Sequence, residues 1–263
     1  MGAYSAEVSG VTIGIHSFNT VIVGSGAAGL NAADQLYSHG QKDIAIVTEG
    51  LQMGTSFNTG SDKQTYYKLT TAGSQPDSPW DMARDLYAGA SMDGDIAMVE
   101  AALSARCFYR LVEIGVPFPH NYYGEYVGYK TDHDPRQRAT SAGPLTSKYM
   151  TERLLAQVQS KSIPIFDGYL VIGILADPTH LSTIGILTLN MREMENPDKR
   201  YVAFNCTNII YATGGPAGIY SASVFPESQT GATGLALEAG VKGKNLTEWQ
   251  YGIASLKFRW NLS

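Results

Sequence analysis

Hydrophobic and polar positions change period several times along this chain, and each change marks an element. Val21, Ile22 and Val23 form a short β-branched run, and behind them Leu30, Ala33 and Leu36 recur at helical spacing until Gly40. A strand, a tight turn and a helix are predicted there. A second apolar run, Ile44, Ala45, Ile46 and Val47, predicts a buried strand that ends in Thr48 and Glu49. Upstream, residues 11–15 read as a short strand in a surface extension. His16, Ser17 and Phe18 lead from it into the first core strand, with His16 in a structural or solvated role.

Helical spacing returns with Trp80, Ala83, Leu86 and Tyr87, behind Ser78 as N-cap and Pro79 as first helical residue. A longer helix is predicted from about Asp95, with a core stripe of Val99, Leu103, Cys107, Leu111 and Ile114 ending at Gly115. Residues 116–147 lose all periodicity while keeping aromatic and charged side chains, the composition of an ordered functional loop. A helix follows over residues 148–160. Three β-runs, at residues 164–175, 184–191 and 201–204, are separated by turn residues and predict an antiparallel meander. A further run, residues 208–211, leads into Ala212, Thr213, Gly214 and Gly215, and residues 230–235 open a helix closed by Gly240. The fold class predicted is α/β, a parallel sheet with a Rossmann-like turn and a three-stranded meander, in one domain over residues 1–263.

Composition narrows the function. The chain has 263 residues, 44% of them hydrophobic and 16% charged, which is the make-up of a globular protein with a substantial core. A net charge of −5 without a basic run argues against nucleic acid as a partner. Cys107 and Cys206 fit no metal-ligand or redox spacing and are expected in the core. No apolar run is long enough for a transmembrane helix and no signal-peptide pattern precedes Gly24, so a cytoplasmic location is expected.

The candidate chemistry gathers at the first turn. Gly24, Gly26 and Gly29 fit G-x-G-x-x-G, in which the glycines allow a tight turn, close backbone approach to a pyrophosphate, and close helix–strand packing. The helix N-terminus offers N–H groups and a positive dipole end to phosphates. Glu49 lies where such a unit puts the carboxylate that binds a ribose. The Gly-, Ser- and Thr-rich loop after Glu49 follows a strand's carboxyl end, where open α/β folds bind ligands. In the aperiodic segment, His133, Arg136 and Arg138 form a candidate set for a carboxylate substrate, or else pair with Asp132 and Asp134 on the surface.

The Val-Ile-Val-Gly-Ser-Gly-Ala-Ala-Gly-Leu opening, Glu49, the meander and Ala-Thr-Gly-Gly at residues 212–215 resemble the succinate dehydrogenase/fumarate reductase flavoprotein superfamily, which includes L-aspartate oxidase. Gly-Val-Pro-Phe at residues 115–118, Thr-Gly-Ala-Thr-Gly at residues 230–234 and Glu248-Trp249-Gln250-Tyr251 extend the resemblance over nearly the whole chain. It implies FAD, with Gly24, Ser25, Gly26, Ala27, Ala28 and Gly29 at the pyrophosphate and Glu49 on the adenosine ribose. Thr55, Ser56 and Gly60 are then expected along the pyrophosphate or flavin, Val171 near adenine, and Thr213 and Gly214 beside the cofactor. Thr48, Gly50, Gly54 and Ala212 complete the expected cofactor-binding set.

The resemblance also implies an oxidoreductase that moves hydride between a small, anionic substrate and the flavin, with an electron-transfer protein as a possible partner. His133 and Arg136 fall on the substrate side in that comparison. Members of membrane complexes attach FAD through a histidine in the loop after the second strand; none occurs here between Gly40 and Pro119, so non-covalent FAD is expected. Ala232 stands where members often carry an acid, and Gly252-Ile253-Ala254 replaces the His-Pro-Thr of fumarate-handling members. Members continue into a capping domain and a returning segment, so this chain is expected to be a truncated portion without normal turnover. Two other readings stand beside this one: a nucleotide-binding module without chemistry, and an NAD-dependent dehydrogenase.

Overall fold

The structure is a computed structural model describing residues 4–58, 64–131, 134–177, 179, 182–215, 232–244 and 246. It divides into two compact units, Met1–Asn58 with Leu154–Lys242, and Thr59–Arg153 with Gly243–Ser263.

The first unit begins with β1 (Tyr4–Val8), β2 (Val11–Val23), α1 (Ala27–Ser38), β3 (Ile44–Thr48) and α2 (Thr55–Asn58). The second carries β4 (Tyr66–Tyr67), α3 (Pro79–Ala88), α4 (Gly94–Glu113), β5 (Ala139–Thr140) and the start of α5 (Thr146–Ser160). The first unit resumes at the end of α5 with β6 (Ile165–Asp167), β7 (Tyr169–Asp177), β8 (Ser182–Asn190), β9 (Tyr201–Tyr211) and α6 (Thr233–Glu238).

Seven strands of the first unit make one sheet, ordered β6-β3-β2-β9-β8-β7 with β1 beside the first half of β2. β2, β3, β6 and β9 run parallel, while β7 and β8 extend the sheet antiparallel from β9 as the expected meander. Two strands are longer than their apolar runs suggest. β2 is continuous over 13 residues, and its outer half pairs with β1 through a turn in which Ser9 and Gly10 both take positive φ. Residues 11–17 are exposed or half-buried, whereas residues 20–23 are buried, so the outer half lacks the apolar density of the core. β9 likewise unites the third meander strand with the run that ends at Ala212. Asn205 and Thr207 interrupt the hydrophobic pattern because they face outward on either side of buried Cys206.

One face of the sheet buries Phe18, Val21, Val23, Ala45, Val47, Ile186 and Phe204, with Phe166 and Tyr169 packed against them. α1 covers the other, burying Leu30 and Ala33 against β2 and β3. Lys161 reaches back to the fully buried Asp34 carboxylate and to Ser38 Oγ at 2.8 Å, tying the end of α5 to α1. His16 is wedged between Phe166 and Phe204, with ring centroids 4.8 and 5.3 Å away, which settles it as a packing residue.

In the second unit, α3 starts where expected, with Ser78 Oγ accepting from the Asp81 amide at 3.1 Å. Asp93 caps α4 by accepting from the Asp95 and Ile96 amides. The buried side of α4 differs from the expected stripe: Ala97, Ala101, Ser104, Phe108 and Leu111 face inward, while Val99, Leu103 and Cys107 are exposed. Small residues win because Met82 and Ala83 of α3 pack directly on Ala97 and Ala101. The described residues of the 116–147 segment are irregular yet organised, with β5 paired to β4 and Phe118 and Tyr126 packed on Phe108.

Candidate cofactor-binding site

The turn between β2 and α1 is built by close backbone approach. Gly24 donates to Val47 O at 2.9 Å and has φ +104°; a Cβ there would lie 2.4 Å from Ala212 O. At Gly29 a Cβ would stand 2.0 Å from Gly24 O, so the third glycine lets α1 close on the strand. Gly26 is different: its Cβ would meet only Ser56 Oγ, at 3.4 Å. As N-cap, Gly26 gives α1 no side-chain hydrogen bond, and the first turn holds no acid. Ser56 Oγ accepts from the Ala27 amide at 3.2 Å, and Ser25 Oγ and Thr48 Oγ1 hydrogen-bond at 2.9 Å beneath the turn.

The carboxyl ends of neighbouring strands complete the walls. From β3 come Thr48, the exposed Glu49 and the turn Gly50–Met53, closed by Met53 N–H on Gly50 O at 3.2 Å. Gly54, Thr55 and Ser56 continue this wall into α2. Tyr169, Leu170 and Val171 contribute from the start of β7, and Tyr211, Ala212, Thr213 and Gly214 from the end of β9. Together they enclose a cavity of about 480 Å³, within the size range of small-molecule sites. Burial raises the Tyr169 and Tyr211 phenols above their ordinary pKa, and the Tyr211 OH donates to Ala232 O at 2.8 Å.

The structure therefore brings Gly24, Ser25, Gly26, Ala27, Ala28, Thr48, Glu49, Gly50, Gly54, Thr55, Ser56, Val171, Ala212, Thr213 and Gly214 around one cavity. Gly29 stands behind it, in the helix–strand contact. Gly60 lies outside the described residues. Sequence reasoning missed Tyr169, Leu170, Tyr211 and Met53. Tyr169, Leu170 and Tyr211 share one signal, their place at strand termini bordering the turn.

The arginines are placed differently. Arg138 is fully buried, with Nε and Nη2 each 2.8 Å from an Asp77 carboxylate oxygen, and Nη1 2.8 Å from Asp85 Oδ2 and 3.1 Å from the Tyr67 hydroxyl. Asp134 adds a carboxylate oxygen 3.5 Å from Nη1. Burial alone would raise the Asp77 carboxyl; Arg138 and the Thr70 and Ser78 amides outweigh it and hold the pKa below the ordinary value. Arg136 lies 3.1 Å from Asp77 and 3.3 Å from Asp81, and donates to Pro76 O at 2.5 Å. Carboxylates of the chain thus occupy both guanidinium groups where the sequence reading expected an anionic substrate. His133 lies outside the described residues.

The FAD binding domain family matches residues 19–261. The chain belongs to that family. FAD is its cofactor, as the opening motifs implied. Over 249 residues it is 26% identical to L-aspartate oxidase of Synechocystis sp., covering 93% of this chain and 42% of that protein. It is 24% identical over 257 residues to the mitochondrial succinate dehydrogenase flavoprotein subunit of Oryza sativa, covering 94% of this chain and 40% of that one. Among solved structures, Mycobacterium smegmatis Sdh1 shares the fold with a TM-score of 0.74 at 20% identity, over 86% of this chain and 38% of that chain. The chain thus spans about 40% of the length of the curated relatives it matches.

The cavity fits FAD on its own chemistry. A backbone stripped of Cβ at Gly26, an acid-free helix end and hydroxyls at Thr55 and Ser56 suit a pyrophosphate, and the exposed carboxylate of Glu49 suits a ribose. Among the described residues, no helix is long and apolar enough to cross a membrane, and no cluster of His, Cys, Asp and Glu could hold a metal ion.

Proposed function

We propose that this chain is the FAD-holding part of an oxidoreductase that transfers hydride between a small anionic substrate and the N5 atom of the flavin. The bound cofactor supplies the hydride chemistry, and the chain supplies orientation and charge. The observation that carries the reading is the convergence of the glycine turn, Glu49 and residues 212–214 on one cavity. The turn of Gly24, Ser25, Gly26, Ala27 and Ala28 cradles the pyrophosphate, aided by Thr55 and Ser56. Glu49 accepts from the adenosine ribose, between Thr48 and Gly50, and Val171 packs by the adenine. Gly54, Gly60, Ala212, Thr213 and Gly214 border the rest of the cofactor.

The association is non-covalent, because no histidine lies between Gly40 and Pro119 to form a link. His133 is the proposed substrate-facing group, and Arg136 and Arg138, both held among carboxylates, are the cations that set its segment. A partner protein exchanges electrons with the cofactor, and the two unpaired cysteines suit the reducing cytoplasm. An absorbance spectrum of the purified chain between about 350 and 500 nm tests the cofactor part, followed by acid precipitation. Yellow colour in the acid supernatant is expected; colour in the pellet contradicts the non-covalent arrangement, and a colourless protein that takes up no added FAD contradicts the whole reading.

A second reading, a cofactor-holding module without turnover, is favoured by one observation: both arginines are already engaged by carboxylates. Substrate-dependent dye reduction by the FAD-loaded chain separates the two. Turnover excludes the second reading.

A further inference from the structure

We infer that Asp167 is a positioning residue for the cofactor, a carboxylate outside the cavity that fixes the Glu49 loop from behind. This rests on the reading of Glu49 as the ribose-binding group. Glu49 is exposed, and no hydrogen bond or ion pair with a described residue orients its carboxylate. Its place is therefore set by the backbone on either side of it. Both sides are tied to the end of β6. In the β3–β6 ladder Asp167 is the register partner of Thr48, one residue before Glu49, and Gly168 donates to Thr48 O at 3.0 Å. Two residues after Glu49, the Leu51 amide donates to Asp167 Oδ1 at 2.7 Å, a charge-assisted bond.

The clamp has its own support. The second oxygen of Asp167 pairs with Arg192 Nη2 from the turn between β8 and β9. Arg192 crosses Gly168 so closely that a Cβ there would lie 3.0 Å from Nε, and Gly168 takes φ +87°. Met191 donates to Gly168 O at 2.8 Å, bringing that turn against the end of β6. Glycine at 168 thus lets the arginine reach the carboxylate that holds Leu51. Asp167 itself does not line the cavity, so its effect on the cofactor passes through the position of Glu49.

The test is a double-mutant cycle on FAD affinity, measured by titrating FAD into the full purified chain. D167A is expected to weaken FAD binding about tenfold, the worth of one charge-assisted hydrogen bond. E49Q weakens it too, and the D167A/E49Q double variant is no weaker than about the poorer of the two single variants, because Asp167 acts through Glu49. D167N keeps an acceptor for the Leu51 amide and recovers most of the affinity. R192A, an exposed residue, is the variant of recourse if D167A fails to fold, with a loss of about threefold expected. Wild-type affinity in D167A, or in R192A where D167A does not fold, overturns the inference, and so do additive losses in the double variant. A wild-type chain that takes up no FAD, or an E49Q chain that binds as wild type, overturns the ribose reading and the inference with it. Loss in E49Q alone overturns only the inference.

Discussion

Arg138 grips Asp77 with two parallel hydrogen bonds, Nε to Oδ2 and Nη2 to Oδ1, both 2.8 Å long and both side chains buried. Removing one partner breaks both bonds and leaves the other's buried charge under-compensated, with Asp85 and Asp134 alone on Arg138, or Arg136 alone on Asp77. R138A and D77A are therefore each expected to lower the unfolding free energy by about 3–5 kcal/mol. Urea denaturation of the two variants against wild type measures it. Wild-type midpoints would show that the cluster does not organise the segment around it.

The same pair has a pH signature. The folded-state pKa of Asp77 lies below its ordinary value of 3.8, so its contribution to stability is complete above that value. It is lost as pH falls below 3.8 toward the folded-state pKa. Urea midpoints between pH 5 and pH 3 should fall less steeply for D77N than for wild type.

His16 adds a second acid-sensitive step at higher pH. Burial against Phe166 and Phe204 lowers its pKa from 6.5, so the folded chain prefers the neutral ring and the unfolded chain binds the proton first. Stability from this residue is intact above pH 6.5 and declines as pH falls toward the folded-state pKa, by at most about 1.4 kcal/mol per pH unit. H16F should flatten the decline between pH 7.5 and pH 5, measured by denaturant titration. An unchanged slope would assign the decline elsewhere.

Two glycines of one turn should fail in different ways. A Cβ at position 29 would lie 2.0 Å from Gly24 O, so G29A must part α1 from β2 and is expected to cost about 3 kcal/mol or more. At position 26 the backbone has φ −77° and the nearest neighbour of a Cβ is 3.4 Å away, so G26A should fold within about 1 kcal/mol of wild type. Its methyl group fills the space a pyrophosphate would approach, and FAD affinity should fall about tenfold or more. Thermal melts and FAD titrations on both variants distinguish a packing glycine from a ligand-approach glycine.

Features that were legible in the sequence are local ones. Strand, glycines, helix and acid lie within residues 21–49, and Gly24 and Gly29 each occupy a position with an identifiable steric reason, while Gly26 lines the cavity. Features that were missed depend on pairing across long separations. The Leu51–Asp167 bond spans 116 positions, and Arg138 meets Asp77 and Asp85 across 61 and 53, which leaves no periodic trace. An arginine beside aspartates in a loop reads equally as a binder of anions and as a cation already satisfied; only the positions of Asp77 and Asp85 decide. The outer half of β2 was underestimated for a related reason. A half-buried strand keeps polar residues and looks like an extension.

Competition between FAD and ADP for the purified chain tests the central claim most directly, because the adenosine diphosphate half is what the glycine turn and Glu49 are proposed to hold. Titration calorimetry should give one FAD per chain, an affinity that falls in proportion to added ADP, and the same weakening of both ligands in E49Q. FAD binding that is indifferent to saturating ADP, or a preference for NAD over FAD, would contradict the account.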